Sequence, residues 1–553
     1  MNVLPSEKEL TDEQVTALRA SDNQDQIVLG VAGGGKTVIA IYRSIMLSNS
    51  SLFEPKRVLI LTYNDAIHSF IRGNVKQQAN DTDNVDVNTV YTYFKELVNT
   101  CRPTQELKNL NEHEYQFLQS ANNRYDDYVH NRSPYNKRGY NYYPEATAMD
   151  KNVVNKMLDE LIDEAKKEHP DNNIWKKDQM SYKDIKLAIR DEINWMQDNE
   201  IPYNDEAAYL NADRIGRSSF NLGNKGGIQR KLVYDIYYQY YEKRDSYRTD
   251  RGVSKIFDYN DVYRLVKYLD IPENQKYDYV IVDEVQDLSP VMFEALNQIR
   301  KRDGNTYFTL LGDLSQNIFG RRMSWKKLGL QVNRGNSHRI KHNYRNTYEI
   351  SKLGKDFLDY CKLHYSSDVE SASYKETEST FIEPELSTKH SYQPYAVNYS
   401  KSDYIVRFLN RAVKANEDSL IICRNDRDKR EITNLLKQND IAFKDEYGKD
   451  DDEDDGTANV YVLGMNKIKG LQFPNVLFYC IDSMPSYYCR DEILNMDSTV
   501  KFEMLNDEEA NRFYAQEYVG ITRSENMLML VYRNPQTINL LKEIGSDSIR
   551  YIQ

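Results

Sequence analysis

The chain has 553 residues, of which 85 are acidic and 73 basic, for a formal net charge of −12. That length exceeds what one hydrophobic core supports and implies three or four structural units of roughly 100 to 200 residues each. The acidic balance argues against a protein that coats nucleic acid through bulk positive charge, while leaving room for a local basic groove. No run of about 18 apolar residues marks a membrane span, and the opening MNVLPSEKELTDEQ lacks the basic start and apolar stretch of a secretory leader. A cytoplasmic protein with no membrane partner is expected. Cysteines at 101, 361, 423, 480 and 489 carry no metal-ligand spacing, so reduced structural thiols are expected.

In chain order, the first informative stretch is QIVLGVAGGGKTVIAIYRSIML, residues 26 to 47. QIVLG predicts a buried strand and TVIAIYRSIML a helix, and Gly30 to Thr37 between them fit G-x-x-x-x-G-K-[ST]. Glycines at 30, 33, 34 and 35 let the backbone wrap a polyphosphate, while N–H groups and the helix N-terminus point at the anion. Lys36 is expected to reach the β- and γ-phosphates and the Thr37 hydroxyl to bind Mg²⁺. Residues from about 99 to 255 carry helical patterns such as MLDELIDEAKKE and RKLVYDIYYQYYEKR. Within them RSPYNKRGYNYYP, 132 to 144, interleaves aromatic and basic residues as a strand-binding loop does, or as a tyrosine-rich surface loop.

YDYVIVDEVQD, 277 to 287, delivers Asp283 and Glu284 at the C-terminal end of an apolar run, where ligands sit in open parallel α/β sheets. Asp283 is expected to hold the Mg²⁺ and Glu284 to orient or deprotonate an attacking water. YFTLLGDLSQ, 307 to 316, is another apolar strand; the neutral amide of Gln316 can bond the γ-phosphate or the attacking water. KDDDEDDG, Lys449 to Gly456, reads as a solvated acidic loop joining two ordered pieces.

Taken together, LTDEQ (10 to 14), GVAGGGKT (30 to 37), ILTYNDA (60 to 66), VDEVQD (282 to 287), GDLSQ (312 to 316), NYRN (343 to 346), KGLQF (469 to 473) and YVGITRSE (518 to 525) resemble the UvrD/Rep family of superfamily 1 helicases. The resemblance runs from Leu10 to about Leu530. It implies an α/β fold of two RecA-like P-loop NTPase domains with ATP between them and a mostly helical 1B insertion. Residues 1–98 and 256–322 form domain 1A, 99–255 the insertion, and 323–553 domain 2A, with a short acidic loop at 446–457 in place of the family's 2B domain.

The resemblance also assigns roles. Gln14 reads the adenine edge, Arg43 and Tyr344 flank the adenine ring, and Gly470 and Gln472 face the nucleotide, Gln472 at the ribose. Arg345 and Arg523 reach the γ-phosphate from the second domain as arginine fingers, typically worth about 10³ to 10⁵ in rate. Tyr63, Asn64, Phe319 and Arg321 fall on the nucleic-acid path.

The chain departs from the family at four points. Arg321 stands where the family offers a tryptophan that stacks on bases, although a guanidinium can stack too. Gln472 replaces a glutamate, and Gly464 and Asn466 replace a threonine and a histidine. The 2B domain, which contacts duplex in the family, is missing or reduced to a loop, so translocation is better supported than processive strand separation. The sequence thus reads as an ATP-dependent, Mg²⁺-requiring translocase or helicase, 3′ to 5′ on single-stranded or tailed duplex DNA, with RNA left open. The alternative is a nucleic-acid-sensing regulatory ATPase that switches a protein partner such as a nuclease, in DNA repair or antiviral defence.

Overall fold

A computed structural model describes residues 4–49, 55–63, 65–78, 84–104, 110, 115, 118, 147–148, 151–176, 182–214, 220, 222–245, 256–301, 303–316, 330, 335–365, 385–445, 459–483, 507–545 and 547–552. The first strands are β1 (Gln26–Gly30), β2 (Val58–Thr62) and β3 (Val85–Thr89). Two short ribbons border the insertion, β4 (Arg102–Pro103) with β7 (Leu269–Asp270) and β5 (Thr147–Ala148) with β6 (Ile256–Phe257). The chain then returns through β8 (Tyr279–Val282), β9 (Tyr307–Gly312) and β10 (Ser337–Ile340).

These form one parallel sheet in the order β10-β1-β9-β8-β2-β3. β1, β2 and β8 are buried at every residue, as a parallel sheet covered on both faces demands. Alternate side chains serve opposite cores. Val28, Ile60 and Ile281 pack with Ile39 and Ile71 on one face, and Leu29, Leu61, Val280 and Val282 with Phe94 on the other.

A second parallel sheet contains β11 (Tyr395–Asn398), β12 (Ser419–Cys423), β13 (Val460–Gly464), β14 (Phe473–Phe478), β15 (Ser524–Tyr532) and β16 (Arg550–Ile552). Its order is β13-β12-β14-β15-β11-β16. The chain is therefore α/β with two Rossmann-like domains, as the sequence implies. One boundary differs. The sequence reading starts the second domain at 323, yet β10 pairs with β1 through Ile27–Ser337 and Gly30–Ile340. Only after Ile340 does the chain leave the first sheet.

The insertion is helical among its described residues. Helices Lys151–Glu168, Tyr182–Asp198 and Ile228–Asp245 share a core that includes Leu161, Ile189 and Tyr237. Segments 132–144 and 446–457, read from sequence as a strand-binding loop and an acidic linker, lie outside the described residues.

A buried charge cluster joins the last of these helices to the first domain. Arg244 donates to Asp258 at 3.1 Å and to Asp261, its side chain fully buried, while Tyr240 donates to Asp258 at 2.6 Å. Removing one partner of such a cluster strands the others without water. Arg244→Met should destabilise the insertion by about 3–5 kcal/mol in urea unfolding. A loss under about 1 kcal/mol would show that the two aspartates find other compensation.

Candidate nucleotide site between the two sheets

The phosphate loop leaves β1 and enters helix Lys36–Ser48 through Gly35 at φ 83°, with Gly33 at φ 73°. Both need glycine, since a left-handed backbone strains an L side chain. Space is closed as well: a Cβ on Gly33 would strike the Asn343 amide oxygen, and one on Gly35 the Gln14 amide nitrogen. Lys36 is 8% exposed, and its ammonium donates to the carbonyls of Gly30 and Val31, both at 2.9 Å. Thr37 donates its hydroxyl to Asp283 Oδ2 at 2.8 Å.

Asp283 and Glu284 follow β8. Burial, and then the neighbouring Glu284 charge, push Asp283 up to about 6. Burial also raises Glu284, but the charges of Lys469, Lys36 and Arg523 more than offset it and hold the carboxyl below its ordinary value. Gln286 donates to Glu284 Oε2 at 2.5 Å and accepts the Asp313 N–H at 3.0 Å. That approach requires Gly312, where a Cβ would lie 2.7 Å from the Gln286 amide oxygen. Gln316 in turn donates to Asp313 at 2.7 Å. The acid pair and the Gln316 turn are thus one hydrogen-bonded unit.

The second domain presents its side of the cleft on two turns. In NYRN, the Asn343 amide oxygen accepts the N–H groups of Arg345 and Asn346, both at 3.1 Å. Asn346, fully buried, donates to the carbonyls of Thr522 at 3.0 Å and Ser524 at 2.5 Å, which fastens this turn to the one bearing Arg523. Arg523 donates to Val519, Leu471 and, across the interface, the Gln316 amide oxygen at 3.2 Å. Lys469 crosses too, donating to Asp287 at 2.7 Å and to the Gln316 carbonyl at 2.9 Å. Gly470, at φ 76°, brings this loop onto Ile67 so closely that a Cβ would strike its side chain.

A cavity of about 570 Å³ opens between the sheets. Lys36, Thr37, Glu284, Gln316, Arg345 and Arg523 line one end, and Gln14, Tyr344 and Gln472 also line the cavity, with Gly33, Gly34, Gly35 and Gly470 in its wall. Burial holds Lys36, Arg345 and Arg523 below their ordinary values, Arg523 down to about 9. Three desolvated cations converging on one cavity favour an anion there. The set fits a Mg²⁺–triphosphate nucleotide: Thr37 and Asp283 offer two oxygens, and Mg²⁺ commonly takes the rest from water and phosphate. Among the described residues no group of three or more His, Cys, Asp or Glu could hold a different metal.

Arg43 needs correction. Instead of flanking a base it is 1% exposed and absent from the cavity wall, its guanidinium bonded to the carbonyls of Leu18, Ala20 and Ser21 and the hydroxyl of Thr309. Val38, in the first helical turn, lines the cavity instead. Gln14 serves two ends. Its amide oxygen accepts the Thr11 N–H at 3.1 Å, as the acceptor of a helix-capping box, and its amide nitrogen donates to Gly34 at 2.9 Å. Tyr63 is half-buried against the first-domain core. Asn64, Phe319 and Arg321 lie outside the described residues.

Gln286 and Lys469 were not singled out from sequence. Both lie inside quoted motifs, VDEVQD and KGLQF, and their polar character in otherwise buried segments was the available signal.

Two parallel sheets, a phosphate loop on one and paired arginines on the other, define a two-domain P-loop protein. The family model described as UvrD/REP helicase N-terminal domain matches residues 10–334, and the chain belongs to that family. The ATP-dependent DNA helicase Rep of Buchnera aphidicola subsp. Baizongia pistaciae (strain Bp) is 25% identical over 261 residues, 40% of this chain. The chain spans 37% of the length of that curated relative. A solved structure, the C-terminal domain of a possible DNA helicase from Lactobacillus plantarum WCFS1, aligns with 38% of this chain and 99% of its own at 15% identity and a TM-score of 0.24. That likeness adds nothing to the fold assignment. Among the described residues no helix is long and apolar enough to cross a membrane.

The Gln286 bridge makes a specific demand. A charge-assisted hydrogen bond to a buried carboxylate is worth about 1.5–3 kcal/mol, so Gln286→Leu should slow phosphate release from ATP at least about tenfold while leaving nucleotide affinity within about twofold. Unchanged turnover would mean that Glu284 holds its orientation without the amide.

Proposed function

We propose that this protein is an ATP-driven motor that moves along single-stranded DNA, in the 3′ to 5′ direction that its family resemblance suggests. One observation carries the reading. The charges that face the phosphate end of the cavity are divided between the domains, Lys36 and Glu284 on the first and Arg345 and Arg523 on the second. A site divided in this way is complete only when the domains close, so hydrolysis and relative domain motion become one cycle.

The residues have distinct parts in this cycle. Lys36 grips the β- and γ-phosphates, Glu284 orients the attacking water through a carboxylate kept ionised by Lys469 and Lys36, and Arg345 and Arg523 meet the charge that develops on the γ-phosphoryl group. A bound Mg²⁺, held by Thr37 and Asp283, would neutralise phosphate charge. The similar Rep protein is an ATP-dependent DNA helicase, which agrees with this reading. Translocation without processive unwinding is the narrower form we favour, because only residues 446–458 separate Asp445 from the β13 segment. The same observation supports a second reading, a cytoplasmic ATPase that senses nucleic acid and switches a partner such as a nuclease in DNA repair or antiviral defence.

ATP turnover should be measured at one stated salt concentration without nucleic acid, then with single-stranded DNA, duplex DNA and RNA. Strong stimulation by single-stranded DNA is expected, with Lys36→Ala losing turnover under every condition. Stimulation by none of them would remove the motor reading and leave a switch whose turnover answers to its protein partner. Near-normal turnover in Lys36→Ala would remove the phosphate-loop assignment. On a 3′-tailed duplex the motor displaces a strand or runs up to the junction, whereas the switch hydrolyses ATP without moving.

A further inference from the structure

Tyr518 stands on the second-domain helix Asp507–Ile521, 2% exposed, with no role in the assignments above. Its hydroxyl crosses the domain interface. It accepts the backbone N–H of Ala32, inside the phosphate loop, at 3.2 Å, and lies beside the Ser315 side chain. Ser315 belongs to the turn Leu314–Gln316, where its own N–H donates to Asp313 at 3.0 Å. One hydroxyl therefore bonds the phosphate loop and lies against the turn that carries Gln316.

The same residue is rigidly joined to an arginine finger. The Tyr518 carbonyl accepts the Thr522 N–H at 3.0 Å and the Thr522 hydroxyl at 2.7 Å, and Arg523 follows directly, its Nε bonded to Val519 at 2.9 Å. The ring packs with Ala32 and Leu358, and against Gly354, where an added Cβ would lie 3.4 Å away. Tyr518 and Arg523 thus share one rigid segment, with the hydroxyl on the loop that holds phosphate and the guanidinium on Gln316.

We propose that the Tyr518 hydroxyl is a positioning residue that couples the phosphate loop to Arg523. It makes delivery of the arginine depend on the loop holding its closed shape. Opening the domains breaks its bond to Ala32 and parts it from Ser315, and closing restores both contacts as Arg523 reaches Gln316. This rests on the ATP-driven reading above.

The test compares two ligands, Mg·ADP and Mg·ADP with aluminium fluoride, titrated against the full chain. The first leaves the γ-position empty, while the second fills it with the planar charge that Arg523 meets. Tyr518→Phe keeps the ring and deletes one neutral hydrogen-bonding group, so it should weaken the fluoride complex about tenfold and leave Mg·ADP affinity and the melting temperature unchanged. Ser315→Ala, which removes one of the two first-domain partners, should give a smaller loss of the same selectivity. A merely structural tyrosine would weaken both ligands equally or lower the melting temperature, and either result overturns the proposal. So does a Tyr518→Phe protein that discriminates the two ligands as the parent does, which leaves the ATP reading intact. A parent chain that binds neither ligand removes both.

Discussion

Glu284 adopts a left-handed backbone, φ 57° and ψ 41°, that a side chain of its kind avoids. Such conformations cost about 1–3 kcal/mol and persist only when the surroundings over-determine them. Here the surroundings are specific. The Glu284 N–H donates to its neighbour Asp283 at 3.0 Å, and Gln286 grips the Glu284 carboxylate while tied to the backbone after β9. The bend turns the carboxylate out of the line of β8 and into the cavity. Two adjacent acids thereby acquire different surroundings: Asp283 faces Thr37 and is pushed towards neutrality, while Glu284 faces cations and stays ionised.

Those cations come from both domains, and this makes the interface part of the site. Lys469 lies 4.0 Å from Glu284 and 2.7 Å from Asp287, nearly dry at both ends. A buried ion pair of this kind adds little net stability, because desolvation offsets attraction, but it fixes geometry. Gly470 beside it lets the second-domain loop approach Ile67. The interface is therefore specified by polar contacts with defined partners, the type that can break and re-form as a unit. A large apolar interface would lock the domains, whereas bonds from Lys469, Arg523 and Tyr518 tie them at defined polar points.

Much of this was legible in the sequence, for physical reasons that differ by residue. The phosphate loop, the acid pair and Gln316 are local: a strand, a tight turn and a few polar residues at fixed spacing carry both structure and chemistry. Arg345 and Arg523 came from family resemblance, and only the fold shows how Asn346 binds their turns together. Arg43, too, came from family resemblance, and its burial against Leu18, Ala20, Ser21 and Thr309 was not visible in the sequence. It sits seven residues into the helix from Lys36, about 10 Å along the axis at the standard rise, beyond reach of the cavity that Val38 lines. The domain boundary misled because β10 is a polar strand, SHRI, with only Ile340 fully buried. An edge strand of that kind lacks the apolar signature that made β1, β8 and β9 evident.

The net charge of −12 describes the whole surface and says little about the cleft. Inside it Lys36, Arg345, Arg523 and Lys469 converge within low-dielectric walls, where a few charges outweigh many solvated ones. The depressed proton affinities of Lys36, Arg345 and Arg523 express the same fact from the other side, since burying each of these cations costs free energy that nearby acids only partly return. A polyphosphate supplies the missing anion, and it does so best when both domains contribute. An acidic protein can in this way concentrate a strong positive field at one place.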